Sequence, residues 1–308
     1  MTPSNLRYVL VTPARNEAKH IGLTLESVVS QTHRPARWVI VSDGSTDGTD
    51  AIVEGYARKA DWIQLVRLPD NRERSFAAKV DAFNAGFREL ANLPYDVIGS
   101  LDGDISFDPE YFAFLMAKFA ADPKLGVAGT PFVEHGRHYD YRFTNIEHVS
   151  GACQMFRREC FAAIGGYVPI KGGGIDWTAV TTARMRGWRT RTFPEKTCLH
   201  HRPMGTGSAR GRLRAIFRHG QKDYNLGGHP IWQVFRGAYQ MTRQPLMVGG
   251  LALIAGYAWA GLQRRPRPIG NELIQFNRTE QMARLWSAVG RVARPGSAVG
   301  RVARPRSS

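Results

Sequence analysis

Four strand-length apolar runs, each followed by a segment with helical spacing, fill the chain up to residue 122 and limit its fold more than any other feature. The runs are "RYVLVTP" (7–13), "RWVIVSD" (37–43), "WIQLVRL" (62–68) and "YDVIGSLD" (95–102). The segments 16–31, 47–60, 74–90 and 108–122 repeat apolar residues at helical intervals, as Ile21, Leu25, Val28 and Val29 do. Asp108 reads as an N-cap, with Pro109 in the first turn. Strand–helix alternation with short links predicts an α/β fold, a mostly parallel sheet covered by helices on both faces. Ligands bind such sheets beyond the carboxyl ends of the strands. The polar clusters "TPARNE", "SDGSTDGT" and "DGD" all fall at those ends.

Charge divides the chain. Residues 1–201 hold 24 Lys+Arg against 23 Asp+Glu, whereas residues 202–308 hold 18 against 3. A neutral body with a basic C-terminal third predicts an anionic partner, either nucleic acid or a membrane surface. No helix-turn-helix, zinc-finger or RNA-recognition pattern accompanies the arginines. The three cysteines, Cys153, Cys160 and Cys198, form no C-x-x-C pair, which argues against a disulfide framework or structural zinc and suits a reducing compartment. No signal peptide is visible at the N-terminus.

The run 245–262 is uncharged over 18 residues, near the minimum for a membrane span. Arg236 and Arg243 precede it, and Arg264, Arg265 and Arg267 follow. A single span would put one basic cluster on the wrong side, while a re-entrant or in-plane segment keeps both on the cytoplasmic face. A buried core helix is the alternative. The expected organisation is therefore a catalytic domain over 1–240, an apolar membrane-associated helical segment over 241–270, and a basic tail over 271–308. In that tail "SAVGRVARPG" is followed by "SAVGRVARPR".

"SLDGD" ends the fourth strand with Asp102 and Asp104 around Gly103. Two carboxylates so placed suit a hard divalent cation, although D-x-D alone is also an ordinary solvated turn. Its neighbours are more specific. Pro13, Asn16 and Glu17 after strand one, and Asp43, Gly44, Ser45, Asp47, Gly48 and Thr49 after strand two, resemble the P-x-x-N-E and D-G-x-S-x-D-G-T motifs of family 2 glycosyltransferases. Asn71, Ala78, Asn84 and Gly86 fit the family's next stretch loosely, with Glu73 in place of a glycine. The resemblance covers about residues 7–205.

It implies a GT-A fold and inverting transfer of a sugar from a nucleoside-diphosphate donor, a UDP-sugar first and a GDP-sugar second. Under it, Asp43 contacts the base or ribose, and Pro13, Ala14 and Glu17 line the same pocket. Asp102 and Gly103 lie by the ribose and diphosphate, and Asp104, with Asp102, ligates Mn²⁺ or Mg²⁺. Lys79 or Arg74 adds positive charge, with a solvated helix face as the alternative. His200 or His201 ligates the metal, His201 being the choice, and Arg202 holds phosphate. The glycine-containing "MGTG" that follows is expected to form a mobile loop that closes over the donor. Asp176 in "GGGIDW" takes the place of the catalytic base, with Ile175 where the family has glutamate; the plainer reading is a helix cap. The acceptor would be lipid-linked or a polysaccharide, met at an anionic membrane surface on the cytoplasmic face. The rivals are a basic nucleic-acid-binding protein and an inactive sugar-nucleotide-binding scaffold.

Overall fold

A computed structural model describes residues 5–69, 76–134, 145–170, 172–202 and 209–292. Arg74, the "MGTG" loop and most of the repeat tail lie outside them. The chain forms two compact units, Met1–Arg212 and Leu213–Ser308.

The first unit begins with β1 (Tyr8–Ala14), α1 (Ile21–Val29), β2 (Arg37–Asp43), α2 (Thr49–Ala57), β3 (Ile63–Leu68), α3 (Phe76–Arg88) and β4 (Val97–Leu101). It continues with β5 (Ile105–Ser106), α4 (Tyr111–Ala121), β6 (Leu125–Gly129), β7 (Phe132–Val133), β8 (Cys153–Arg157) and α5 (Arg158–Ala163). α6 (Ile175–Met185), β9 (Arg189–Thr192) and β10 (Cys198–His200) complete it. Seven strands pair in the order β3-β2-β1-β4-β8-β6-β9. β8 runs antiparallel to β4 and β6, and the other pairings are parallel.

The apolar strand runs follow from burial on both faces. In β1, Tyr8 and Leu10 join one core with α1 and α4, while Val9 and Val11 join the other with α3, α5 and α6. The chain winds outward from β1 to β3, then α3 carries it across the opposite face to β4 on the other side of β1. This reversal opens a crevice at the carboxyl ends of β1 and β4. α3 lies close against the sheet: a Cβ on Gly86 would meet Val11 at 2.7 Å and Val41 at 2.8 Å.

The first helix starts later than its periodicity suggests, because residues 16–20 are drawn into the crevice. α4 begins at Tyr111, and Asp108 instead accepts from the Glu110 N–H at 2.9 Å. The three cysteines are free and buried.

α7 (Ala209–Asn225) leads into the second unit, followed by α8 (Pro230–Met241), α9 (Val248–Leu262) and α10 (Asn271–Val292). Glycine lets these backbones touch: a Cβ on Gly256 would stand 2.0 Å from the Phe217 carbonyl oxygen. Asn277 and Arg278 of α10 donate to the Leu226 and Gly227 carbonyls just after α7. The uncharged run becomes α9, of 15 residues. No described helix is long and apolar enough to cross a membrane.

Candidate nucleotide-sugar site

β1, β2 and β4 deliver the site from their carboxyl ends. Asn16 adopts φ 54, and this left-handed turn folds the segment after β1 towards the loop after β2. Cross-links hold the two loops together. The Thr46 N–H donates to Asn16 Oδ1 at 2.8 Å, and the Asn16 N–H to Ser45 Oγ at 3.2 Å. The Glu17 N–H donates to Thr49 Oγ1 at 2.8 Å, and the Ala18 N–H to Asp47 Oδ2 at 3.0 Å. Motif residues Asn16, Ser45, Asp47 and Thr49 therefore position the loops. Sequence reasoning marked them without assigning this role, and only the pairing of the two motifs could have signalled it.

Asp43 ends β2 with 6% exposure. Its Oδ2 lies 3.7 Å from Arg15 Nη1, and its Oδ1 is buried without a hydrogen-bond partner. An unsatisfied carboxylate oxygen at that depth is costly and suits a ligand N–H or O–H. Pro13 and Ala14 close β1 beside it, in register with Val41 and Ser42.

Past β4, the Asp102 N–H donates to the Ala152 carbonyl, fixing the turn through Gly103. Lys79 Nζ of α3 reaches Asp102 Oδ1 at 2.5 Å. Burial pulls the Lys79 pKa down, but the facing Asp102 carboxylate outweighs it and the net shift is upward. Asp104 enters β5, which pairs antiparallel with β10 and sets His200 opposite Ile105. His200 Nε2 then lies 3.6 Å from Asp104 Oδ2, and Arg202 Nε lies 3.5 Å from the same oxygen. Arg202 also pairs with Glu17. His201 turns the other way, with Nε2 2.8 Å from Ser106 Oγ. Burial lowers the His201 pKa, favouring neutral imidazole. His200, rather than His201, is thus the histidine that faces the Asp104 carboxylate.

Burial raises the Glu17 pKa to about 7; Arg202 opposes the rise, and Asp104 and Asp102 add to it. Such crowding of carboxylates calls for positive charge. No three His, Cys, Asp or Glu side chains among the described residues converge as a metal cluster. The donors still fit a hard or borderline cation that takes one or two protein ligands and fills its other positions with phosphate oxygens. Asp104 offers a buried carboxylate, and His200 has Nδ1 buried without a partner.

Asp176 stands at the second position of α6, whose N-cap is Gly174 at φ 100. Asp176 is therefore not the helix cap. A Cβ on Gly151 would lie 3.2 Å from its Cβ and 3.5 Å from Oδ2, so the glycine leaves its carboxylate room. The Asp176 carboxylate, after that of Asp102, adds to the upward shift of the Lys79 pKa.

The sheet order, with acidic residues at the ends of β1, β2 and β4, defines the GT-A architecture of glycosyltransferases. The mannosyltransferase PcManGT of Pyrobaculum calidifontis, solved with GDP-Man and Mn²⁺, shares the fold at TM-score 0.56 and 20% identity over 96% of this chain and 84% of that one. TarS 1–349 of S. aureus, solved with UDP-GlcNAc, does so at TM-score 0.54 and 15% identity over 84% and 73%. Residues 9–150 match the family model described as Glycosyl transferase family 2. A poly-beta-1,6-N-acetyl-D-glucosamine synthase of Staphylococcus aureus (strain COL) is 29% identical over 206 residues, 59% of this chain and 47% of the relative. The chain thus spans about half the length of the curated relatives it matches.

Proposed function

We propose that this protein transfers a sugar, with inversion, from a nucleoside-diphosphate donor to an acceptor hydroxyl. A UDP-sugar is the first choice of donor and a GDP-sugar the second, and the acceptor is lipid-linked or a polysaccharide at an anionic membrane surface on the cytoplasmic face. The single observation that carries the reading is the unpartnered Asp43 oxygen beside the Glu17–Asp102–Asp104 cluster at the sheet's switch point, within a family 2 domain. The donors in the neighbouring structures, UDP-GlcNAc and GDP-Man, support the substrate class.

Each residue has a role in this reading. Asp43 takes the base or ribose, with Pro13 and Ala14 along the wall. Lys79 and Arg202 offer fixed positive charge to the diphosphate, on which negative charge grows as the bond to the sugar breaks. A divalent cation, Mn²⁺ or Mg²⁺, held by Asp104 with Asp102 or His200, would neutralise part of that charge. Asp176 accepts the proton of the acceptor hydroxyl as its oxygen bonds to the anomeric carbon.

The test is a screen of UDP- and GDP-sugars with each metal for thermal stabilisation and transfer, because ligands that bind the native state raise its apparent stability. Asp176→Asn should lower turnover roughly 10²–10⁴-fold with donor binding nearly intact. Full turnover in that variant removes Asp176 from the chemistry, and absence of stabilisation by any sugar nucleotide removes the donor class.

A further inference from the structure

The second unit is built inside out. α8 turns Gln233 and Gly237 inward while Ile231, Val234, Phe235 and Tyr239 stand 39% to 59% exposed. α9 buries Gly249, Gly250, Leu253, Gly256 and Ala260. Its outer face presents Val248, Leu251, Trp259 and Leu262 at 49% to 79% exposure. Both outward sets follow helical spacing, so each is a continuous apolar stripe. A helix at the surface of a soluble domain has the opposite polarity.

The two stripes lie on one side of the pair. α8 and α9 run antiparallel, because Gln233 Nε2 donates to the Leu253 carbonyl while Gly237 packs on Gly250 and Ile254. At about 100° per residue, each stripe is centred roughly 125° round from the positions that face the partner helix, in the same sense along its own chain. In an antiparallel pair equal rotations of that kind point to the same side. The connector between the helices adds exposed Leu246 and Met247.

Charge frames this face. Arg243, in the connector, and Arg264 and Arg265, after α9, are exposed and sit at opposite ends of the pair. Residues 244–263 between them carry no charge. α9, at 15 residues, is about 22 Å long against a hydrocarbon core of about 30 Å. It is too short to cross and suited to lie flat. Monomeric soluble proteins rarely leave a contiguous apolar face of this kind open. A second copy is the poorer occupant, since a two-fold pairing brings the same basic patches together.

We propose that the outer face of α8 and α9 lies in the interfacial plane of an anionic bilayer. The apolar stripes sink to the acyl boundary, and Arg243, Arg264 and Arg265 meet lipid phosphates. The inference rests on the membrane-surface reading above and identifies the surface responsible.

The experiment is co-sedimentation of the full chain with phosphatidylcholine vesicles, with and without one part in three of phosphatidylglycerol. Binding is expected to the anionic vesicles and to be weak on the neutral ones. Val234→Gln/Leu251→Gln leaves charge unchanged and should lower partitioning roughly tenfold or more. Arg264→Gln/Arg265→Gln should weaken binding only to anionic vesicles. A dye on Leu251→Cys, specific because the native cysteines are buried, should report an apolar environment on vesicle addition. Unchanged binding of the Val234/Leu251 variant would mean that charge alone holds the protein, and overturns the proposal. So does a parent dimer in light scattering that the same substitutions split. The assay needs neither donor nor acceptor, so failure of the transfer reading leaves its outcome intact. A parent that is stabilised by donor but ignores anionic vesicles overturns this inference alone.

Discussion

Glu17 shows how one buried side chain couples the site to pH. Its carboxyl group is 12% exposed and pairs with Arg202, yet burial lifts its pKa from 4.5 to about 7. A folded-state value above the unfolded one means that the folded protein binds the extra proton. That contribution to stability is complete below about pH 4.5 and is lost as pH rises through about 7. The shift corresponds to about 3 kcal/mol. Glu17→Gln keeps the neutral shape, so parent and variant should be similarly stable at pH 5, with the variant ahead by about 2–3 kcal/mol at pH 8. Urea unfolding at the two pH values reads this directly. A parent that gains stability on the variant between pH 5 and pH 8 would reverse the sign and place the ionised carboxylate in a favourable pairing.

Among the elements, the loops after β1 and β2 act as one part. Asp47 accepts from the Thr49 hydroxyl and N–H and from the Ala18 N–H, and it touches none of the proposed chemical groups. Asp47→Ala should therefore raise the donor Kd several-fold and leave kcat at saturating donor close to the parent's, because the loss falls on positioning Asp43 and Glu17. Calorimetry for binding and initial rates at saturation separate the two. Equal losses in both would make Asp47 part of the transition-state machinery. The strands and helices around these loops were legible because β1, β2 and β4 are buried on both faces, which writes unbroken apolar runs into the chain. Gly86 was legible as a motif position, and its reason is the approach of α3 to Val11 and Val41. Less could be read where pairing is short or local. β5 and β10 are strands of two and three residues, below any periodic signal, yet their register decides that His200 faces Asp104 while His201 faces Ser106. Asn16 in a left-handed turn likewise shortens the first helix, and no apolar spacing reports that.

At the scale of the whole molecule, chemistry and charge are segregated. Every residue proposed for the donor or the base lies at or before Arg202, inside the Met1–Arg212 unit, whereas residues 202–308 hold 18 basic side chains against 3 acidic ones. The two apolar clusters of the first unit are complete within it, their buried members running from Tyr8 to Cys198 and from Val9 to Ala183. The second unit depends on glycine contacts of its own: a Cβ on Gly220 would fall 2.0 Å from the Leu253 carbonyl, and one on Gly256 would fall 2.0 Å from that of Phe217. Backbone cannot yield as a flexible side chain does, so Gly256→Val must push α7 and α9 apart. Overpacking of that kind costs about 1–3 kcal/mol or more. The apolar clusters of the first unit take no residue from the second, so the loss should stay within the second unit. Hydrogen exchange should show protection falling in α7, α8 and α9, while the first-unit sheet stays protected and donor affinity is unchanged. A weakened donor Kd in Gly256→Val would show instead that the helical unit helps to hold the crevice, and that the two units fold and bind as one.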